Sequence, residues 1–424
     1  MGPTGGTEQF EGKGDYAAPA STRRATGKFV VQTKGAMNIV SVSWADHLTF
    51  GEGDGRLDTP DKVARRMRVW HDELGAGALH WRVLRARIPG RFHAARGYRH
   101  PSLAAARSIT WDDFEEVPAR AHDAGLQAWM YVPLFDEGWP LASSRERERS
   151  HHNAMHGRHV SWQSELTREH PEWLVVDREG RTRQRGVVSL AYPEARRAFI
   201  ERWTQLIAPT LFDGLFICFR SQSRPAEHGD QFGFNEPACA EFRARYGVNV
   251  RREDFDRQAW RDLLGDFITA LLTELRAALD RPIGVGIARG DLLGPPLGNT
   301  TLQWREWIRR GLLDHLVVDQ NSSQCPSMWH QLWPMHRGSG YLQNYLDGEG
   351  MPALADHLRT TYAPAVEAGT TRLFVARQWR ERCEQVEREL RAIPRVEGLV
   401  FSSFRHDNRA AIARGDWRAG VLEK

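Results

Sequence analysis

Short apolar runs alternate with amphipathic helical segments from Met37 onward, and this alternation constrains the fold more than any other feature. A strand, a helix and a further strand build a parallel sheet, because the helix returns the chain to the same edge. Eight apolar runs occur, at residues 39–44, 78–84, 127–133, 215–219, 283–287, 316–318, 373–376 and 398–404. No GxGxxG motif or P-loop follows any of them, which disfavours an open nucleotide-binding sheet. We therefore predict an α/β fold, namely a single (β/α)8 TIM barrel.

Local signals support the helical segments between these runs. Thr59 followed by Pro60 is typical of a helix start, and Gly75 is typical of a helix end. The long polar segment at residues 136–185 predicts a loop insertion after the third strand, and loops of this length are usually functional or form a small subdomain. Residues 1–36 are rich in Gly, Thr, Ala and charge. We expect them to form a flexible extension, with residues 37–424 forming one catalytic barrel.

Composition narrows the possible partners. The 58 Lys and Arg nearly balance the 54 Asp and Glu, and no basic run with interleaved aromatic residues occurs. We therefore expect no nucleic-acid partner. No apolar stretch is long enough for a membrane span, and no signal peptide is recognised, so a cytoplasmic location is the default expectation. A homodimer is compatible with the sequence but is not indicated by it.

Neither a cofactor nor a metal is expected. The four cysteines, Cys218, Cys239, Cys325 and Cys383, form no CxxC pair and are interpreted as buried free thiols. The insertion carries several histidines, but no carboxylate completes a ligand triad with them.

Polar residues that follow the strands are the candidates for chemistry, because the reactive groups of such barrels stand at the carboxyl ends of the strands. Arginine dominates there, with Arg85, Arg87, Arg220, Arg289, Arg377 and Arg405. The guanidinium fork binds carboxylate or phosphate in a bidentate manner, and a neutral sugar would not need so many. The sequence therefore predicts an anionic substrate.

Individual candidates have two interpretations each. Asp46 follows the first strand and is either a catalytic group or a loop cap. His47 either contacts substrate or is structural, and Arg220 binds substrate or pairs with a carboxylate such as Asp230. The run Arg405-His406-Asp407 is either functional or an ion pair that closes the barrel. Asp136 and Glu137 are candidate acids or bases, and Arg377 is a candidate substrate ligand.

Two family resemblances follow from short motifs. The segments His170-Pro171-Glu172-Trp173, Asp177-Arg178-Glu179-Gly180, Tyr192-Pro193-Glu194-Ala195-Arg196 and Phe212-Asp213-Gly214-Leu215 resemble barrels related to glycoside hydrolase family 10. The strand after Asp-Gly typically ends in an acidic residue in that group. Cys218 stands at this place here, followed by Arg220, so the usual carboxylate is missing.

The second resemblance is to the inverting exo-sialidases of glycoside hydrolase family 156. Asp46 ends the first strand, Arg147 and His152 lie five residues apart in the insertion, and Arg220 ends the fourth strand. The pairs Arg149/His156 and Arg158/His159 offer alternative registers. The resemblance implies that Asp46, aided by His152, activates water, and that Arg147 and Arg220 bind the carboxylate of a sialic acid. We add His47, Arg377 and Arg405 as further candidate substrate ligands.

The resemblance thus implies an exo-α-sialidase that acts on sialylated glycans with inversion. Three alternatives stay open. One is a hydrolase of another acidic, uronate-containing polysaccharide, using Asp46 with Asp136, Asp291 or Asp407. The second is a polysaccharide lyase, in which His152 abstracts a proton. The third is a carbohydrate-binding barrel without activity, because Cys218 stands where relatives have an acid.

Overall fold

A computed structural model describes residues 37–82, 109–139, 162–219, 228–293, 300–320, 352–367, 369–377 and 382–414. Eight parallel strands in this part close into a barrel, which confirms the predicted fold. They are β1 (Asn38–Ser43), β2 (Ala76–Arg82), β3 (Gln127–Pro133), β4 (Gly214–Cys218), β5 (Ile283–Gly286), β6 (His315–Val318), β7 (Arg372–Ala376) and β8 (Val396–Ser402). Each strand pairs with the next in chain order, and β8 pairs with β1.

The α-helices of the described part are α1 (Trp44–Phe50), α2 (Pro60–Leu74), α3 (Asp113–Asp123), α4 (Glu165–Glu169), α5 (Pro193–Ile207), α6 (Glu236–Tyr246), α7 (Arg257–Ala278), α8 (Trp304–Arg309), α9 (Leu354–His357), α10 (Ala363–Glu367), α11 (Glu384–Arg391), α12 (Ser403–Asp407) and α13 (Arg409–Arg414). A π-helical turn, Leu358–Tyr362, joins α9 to α10. The predicted limits of α2 are confirmed. The Thr59 hydroxyl accepts a hydrogen bond from the Lys62 amide, and Gly75 ends the helix in the left-handed region at φ 57°.

Side chains alternate between two layers of packing along each strand. Outward residues such as Val40, Leu79 and Leu316 join the large core between the barrel and its helices. Inward residues such as Ile39, Trp129 and Phe216 fill the interior of the barrel. The barrel is therefore a packed core and not a pore.

Glycines make room for the large aromatic residues of the interior. A Cβ at Gly214 would lie 2.6 Å from the Trp129 ring, and a Cβ at Gly286 would lie 2.7 Å from the Phe216 ring. The absence of a side chain at Gly214 and Gly286 thus leaves space for the rings of Trp129 and Phe216.

Two buried histidines share this interior. His80 on β2 stacks on Phe216 with ring centroids 3.8 Å apart, and His315 on β6 stacks on Trp129 at 4.1 Å. Both ring nitrogens of His80 and the Nδ1 atom of His315 have no hydrogen-bond partner. Burial lowers the pKa of His80 to about 3. Burial, with further contributions from Arg372 and His80, also lowers the pKa of His315 well below its usual value, so both rings are neutral.

The observed strands differ from the predicted runs by one or two residues at several ends. The last strand ends at Ser402 and not at residue 404, because Ser403 begins α12. The first strand ends at Ser43, so that Asp46 lies on a helix. The second strand begins at Ala76, and the end predicted for it at residue 84 lies outside the described residues, as do Arg85 and Arg87.

The described part of the insertion after β3 has regular structure. It contains α4, the 3-10 turn Pro171–Trp173 and an antiparallel pair formed by Leu174–Val176 and Arg183–Val188. The expected extension at residues 1–36 lies outside the described residues, so its flexibility stays a prediction.

Candidate active site

Asp46 stands at the carboxyl end of the barrel, in the first turn of α1 directly after β1. Its side chain is half-buried. Among the residues that the structure describes, no hydrogen bond or ion pair engages the Asp46 carboxylate. A carboxylate in this state keeps its lone pairs available to accept a proton.

His47, the next residue, is wholly buried and bonded on both sides. Its Nδ1 atom donates to the carbonyl oxygen of Gly55 at 2.6 Å, and its Nε2 atom lies 2.7 Å from the Ser403 hydroxyl. Burial lowers the pKa of His47, so the ring is neutral. With its proton on Nδ1, the ring accepts a hydrogen bond from the Ser403 hydroxyl at Nε2. Both nitrogens already join α1 to the turn at Gly55 and to α12, which favours the structural interpretation of His47.

Asp407, in the run after β8, links α12 to α2. Its carboxylate accepts hydrogen bonds from the Arg66 guanidinium and from the Trp70 indole at 3.1 Å, both on α2, and from His406. Although burial opposes ionisation, the bonds from His406 and Arg66 lower the pKa of Asp407. The structural interpretation of this run therefore applies to Asp407. Arg405 on the same helix is half-buried, and its substrate contact stays a prediction.

The two candidate carboxylates after β3 both form ion pairs with arginines. Asp136 is buried and accepts from Arg82, at the end of β2, at 3.1 Å. Glu137 is buried and receives two hydrogen bonds from Arg202 on α5, at 2.9 and 2.6 Å. These ion pairs connect neighbouring elements of the barrel. Because both carboxylates are already paired, we do not expect either residue to act as a catalytic base.

Arg377 follows β7 and is only 6% exposed. Its amide continues the β7–β8 ladder by donating to the Val400 carbonyl oxygen at 2.7 Å. Its Nε atom is buried without a hydrogen-bond partner, and within the described ranges no carboxylate lies within ion-pair distance of the guanidinium. Burial lowers the pKa of Arg377, while Asp319 and Glu387 oppose that effect. A buried cation in this state is stabilised by an anion.

The end of β6 has a conformation that the sequence did not indicate. Asp319 lies in the left-handed region at φ 60°, which is uncommon for a residue other than glycine. Its carboxylate pairs with Arg289 at 3.3 Å. The next side chain, Gln320, lies over Gly286 and accepts a hydrogen bond from the Cys218 thiol at 3.2 Å. Arg289 was among the arginines predicted at the strand ends, whereas Asp319 and Gln320 had no predicted role, and only their position after a strand could have indicated one.

The remaining candidates cannot be placed. Arg147, His152 and Arg220 lie outside the described residues, as do the alternative Arg and His pairs of the insertion. Asp46, Arg377 and Arg405 do share the carboxyl end of the barrel, on the neighbouring strand ends of β1, β7 and β8.

The described ranges contain no group of three or more His, Cys, Asp or Glu arranged to hold a metal ion. None of their helices is both long and apolar enough to span a membrane. Cys218 and Cys239 are buried free thiols as expected, whereas Cys383 is exposed, contrary to the expectation.

Comparison with known proteins gives only remote likenesses. No family model matches the chain, and no curated protein matches it. A maltogenic α-amylase from Thermotoga neapolitana is 11% identical over 87% of this chain and 68% of its own, with a TM-score of 0.40. A GH36 α-galactosidase from Geobacillus stearothermophilus is 10% identical over 91% of this chain, with a TM-score of 0.42. A group IV chitinase from Ostrinia furnacalis is 13% identical over 81% of this chain and 66% of its own, with a TM-score of 0.35. The chain spans 41% of the galactosidase's length. At these scores the activity has to be argued from the chain's own residues.

Proposed function

We propose that this barrel is a glycosidase that hydrolyses the bond to an anionic sugar, with terminal sialic acid as its substrate. One observation carries the proposal. The described carboxylates at the strand ends are Asp46, Asp136, Glu137, Asp291, Asp319 and Asp407. All except Asp46 are held by arginine, indole or histidine partners. Asp46 is therefore the carboxylate best able to take a proton from water.

The chemistry follows from that assignment. In hydrolysis with inversion, a carboxylate removes a proton from a water molecule that attacks the anomeric carbon opposite the leaving group. Asp46 acts as this base in our proposal. The water oxygen bonds to the anomeric carbon, the glycosidic bond breaks, and the leaving oxygen takes the bonding electrons and then a proton.

The anionic nature of the substrate is supported by Arg377. A guanidinium that is withdrawn from water without a carboxylate partner is costly to bury. A substrate carboxylate supplies the missing charge and accepts charge-assisted hydrogen bonds. A sialic acid carries its carboxylate on the anomeric carbon itself. An arginine that binds this carboxylate and a base that activates water for attack on this carbon are therefore needed at the same end of the barrel.

A fluorogenic α-sialoside with a 4-methylumbelliferyl leaving group tests the base directly. This phenol leaves without needing a proton, so its release depends on the attack of water and not on a general acid. We expect the wild type to release it, and Asp46→Asn and Asp46→Ala to lower kcat by about 100-fold or more, as is typical for loss of a general base. Asp61→Asn is the matched control, because Asp61 is an exposed acid in the first turn of α2.

Proton NMR of the first-formed sugar completes the test. Inversion predicts that the β-anomer appears first. Release of the α-anomer first would contradict the inverting mechanism, and full activity of Asp46→Ala would contradict the role of Asp46. Turnover of a uronide but of no sialoside would replace sialic acid by a uronate-containing glycan as the substrate.

A further inference from the structure

Three charged residues stand side by side where β5, β6 and β7 end. Arg289 follows β5, Asp319 follows β6 and Arg377 follows β7, and these strands are neighbours in the barrel. Asp319 pairs with Arg289 at 3.3 Å. Its charge also acts on Arg377, although the two are not within ion-pair distance. In the order of the strands, Asp319 therefore lies between Arg289 and Arg377.

The backbone at Asp319 produces this arrangement. Its left-handed φ of 60° interrupts the alternation of the strand. Asp319 pairs with Arg289, whereas the next side chain, Gln320, contacts Cys218 inside the barrel. Uncommon backbone conformations of this kind persist where the surroundings stabilise them, and they concentrate at functional sites.

Arg289 is held in a defined orientation. Its Nε atom faces Asp319, and its Nη1 atom donates to the Pro352 carbonyl oxygen at 2.8 Å. Its side chain is 19% exposed, so part of it reaches solvent. Arg377 by contrast has no carboxylate partner in the described ranges. Among these three described residues, two guanidinium groups thus face a single carboxylate.

We propose that Arg289 and Arg377 together bind the substrate carboxylate, and that Asp319 is a positioning residue that orients Arg289 for it. This inference deepens the proposed function and rests on it. It assigns the carboxylate subsite to the ends of β5 and β7, in place of the pair Arg147 and Arg220 that the family resemblance implies. It gives Asp319 no contact with the reacting atoms. Two guanidinium groups can offer several charge-assisted hydrogen bonds to the two carboxylate oxygens.

Binding of a matched ligand pair tests the subsite without requiring turnover. The pair is the methyl α-glycoside of N-acetylneuraminic acid and its 1-carboxamide, which has nearly the same shape but no charge. Calorimetric titration of the wild type is expected to show about 10- to 100-fold tighter binding of the acid, the range for hydrogen bonds to charged groups. We expect Arg289→Met and Arg377→Met each to remove most of this preference and to bind the amide as the wild type does.

The Asp319→Asn variant distinguishes a positioning role of Asp319 from a merely structural one. A positioning role predicts weaker binding of the acid with unchanged binding of the amide, and a raised KM with a nearly unchanged kcat on the charged substrate. A merely structural role would weaken both ligands equally. Arg305→Met is the matched control, because Arg305 is a half-exposed arginine near the same strand end that already pairs with Asp291 at 2.8 Å.

The outcomes separate this inference from the proposed hydrolysis. Loss of the acid preference in Arg289→Met and Arg377→Met supports the subsite, even if no sialoside is hydrolysed and the proposed activity fails. An unchanged preference in those variants, or a wild type that binds both ligands equally or neither, overturns it, even if hydrolysis is observed.

Discussion

Replacing His80 with leucine is expected to remove a large part of the acid sensitivity of this barrel. His80 is fully buried against Phe216, and neither of its ring nitrogens has a hydrogen-bond partner. Burial lowers its pKa to about 3 in the folded protein, whereas a histidine in the unfolded chain has a pKa of about 6.5. The unfolded chain therefore binds the proton more tightly than the folded chain does.

The sign and size follow from proton linkage. The pKa of His80 is lower in the folded protein than in the unfolded chain. Its contribution to the free energy of unfolding is therefore fully present above about pH 6.5 and is lost as the pH falls toward 3. Between pH 7 and pH 5 the loss through His80 alone amounts to about 2 kcal/mol. His315 has its pKa lowered in the same direction by burial, so it adds to the same loss.

Urea unfolding at pH 7 and pH 5, followed by tryptophan fluorescence, measures the effect. In His80→Leu the difference in the free energy of unfolding between the two pH values should shrink by about 2 kcal/mol, and His80→Leu/His315→Leu should shrink it further. His71→Gln is the control, because His71 is half-exposed. The reasoning is refuted if His80→Leu loses as much stability on acidification as the wild type.

Two further predictions concern packing and charge at the barrel ends. Asp407→Asn should lower the free energy of unfolding by about 3 kcal/mol at pH 7, because Arg66 loses its charged partner, and the effect should be smaller in the Arg66→Met background, where only the bonds from Trp70 and His406 are weakened. Gly286→Ala should lower it by about 1–3 kcal/mol, since the new Cβ would lie 1.9 Å from the Gln320 Oε1 atom and 2.7 Å from the Phe216 ring, and an unchanged melting temperature would contradict that overlap.

The barrel itself was predictable because its cause is local. Apolar runs of strand length and helices with caps such as Thr59 repeat along the chain, and each signal lies within a few residues of the element it forms. The end of the last strand was missed for a related reason. The apolar run continues past Ser402 to Phe404, but the Ser402 hydroxyl caps α12 by accepting from the Arg405 amide. Apolarity alone does not distinguish these two conformations.

The candidate site was less predictable because it depends on which charges meet across the barrel. Arg82 and Asp136 are 54 residues apart, and Arg202 and Glu137 are 65 apart. Nothing in the sequence near any of these residues indicates its partner. The sequence near Arg377 likewise does not indicate that this arginine has no carboxylate partner within the described ranges. Sequence reasoning could place arginines at the strand ends, but it could not separate engaged from unengaged groups.

Closure of the ring between β1 and β8 has a consequence for synthesis of the chain. The Asn38 amide group bonds the Leu74 carbonyl oxygen and the Leu399 amide, and the second of these bonds joins residues 361 positions apart. While the ribosome has not yet released β8, the nascent sheet has two open edges, one on β1 and one on β7. Open edges invite pairing with other chains. Release of β8 therefore completes the core and removes the edges in the same step, which ties the solubility of the nascent chain to its last strand.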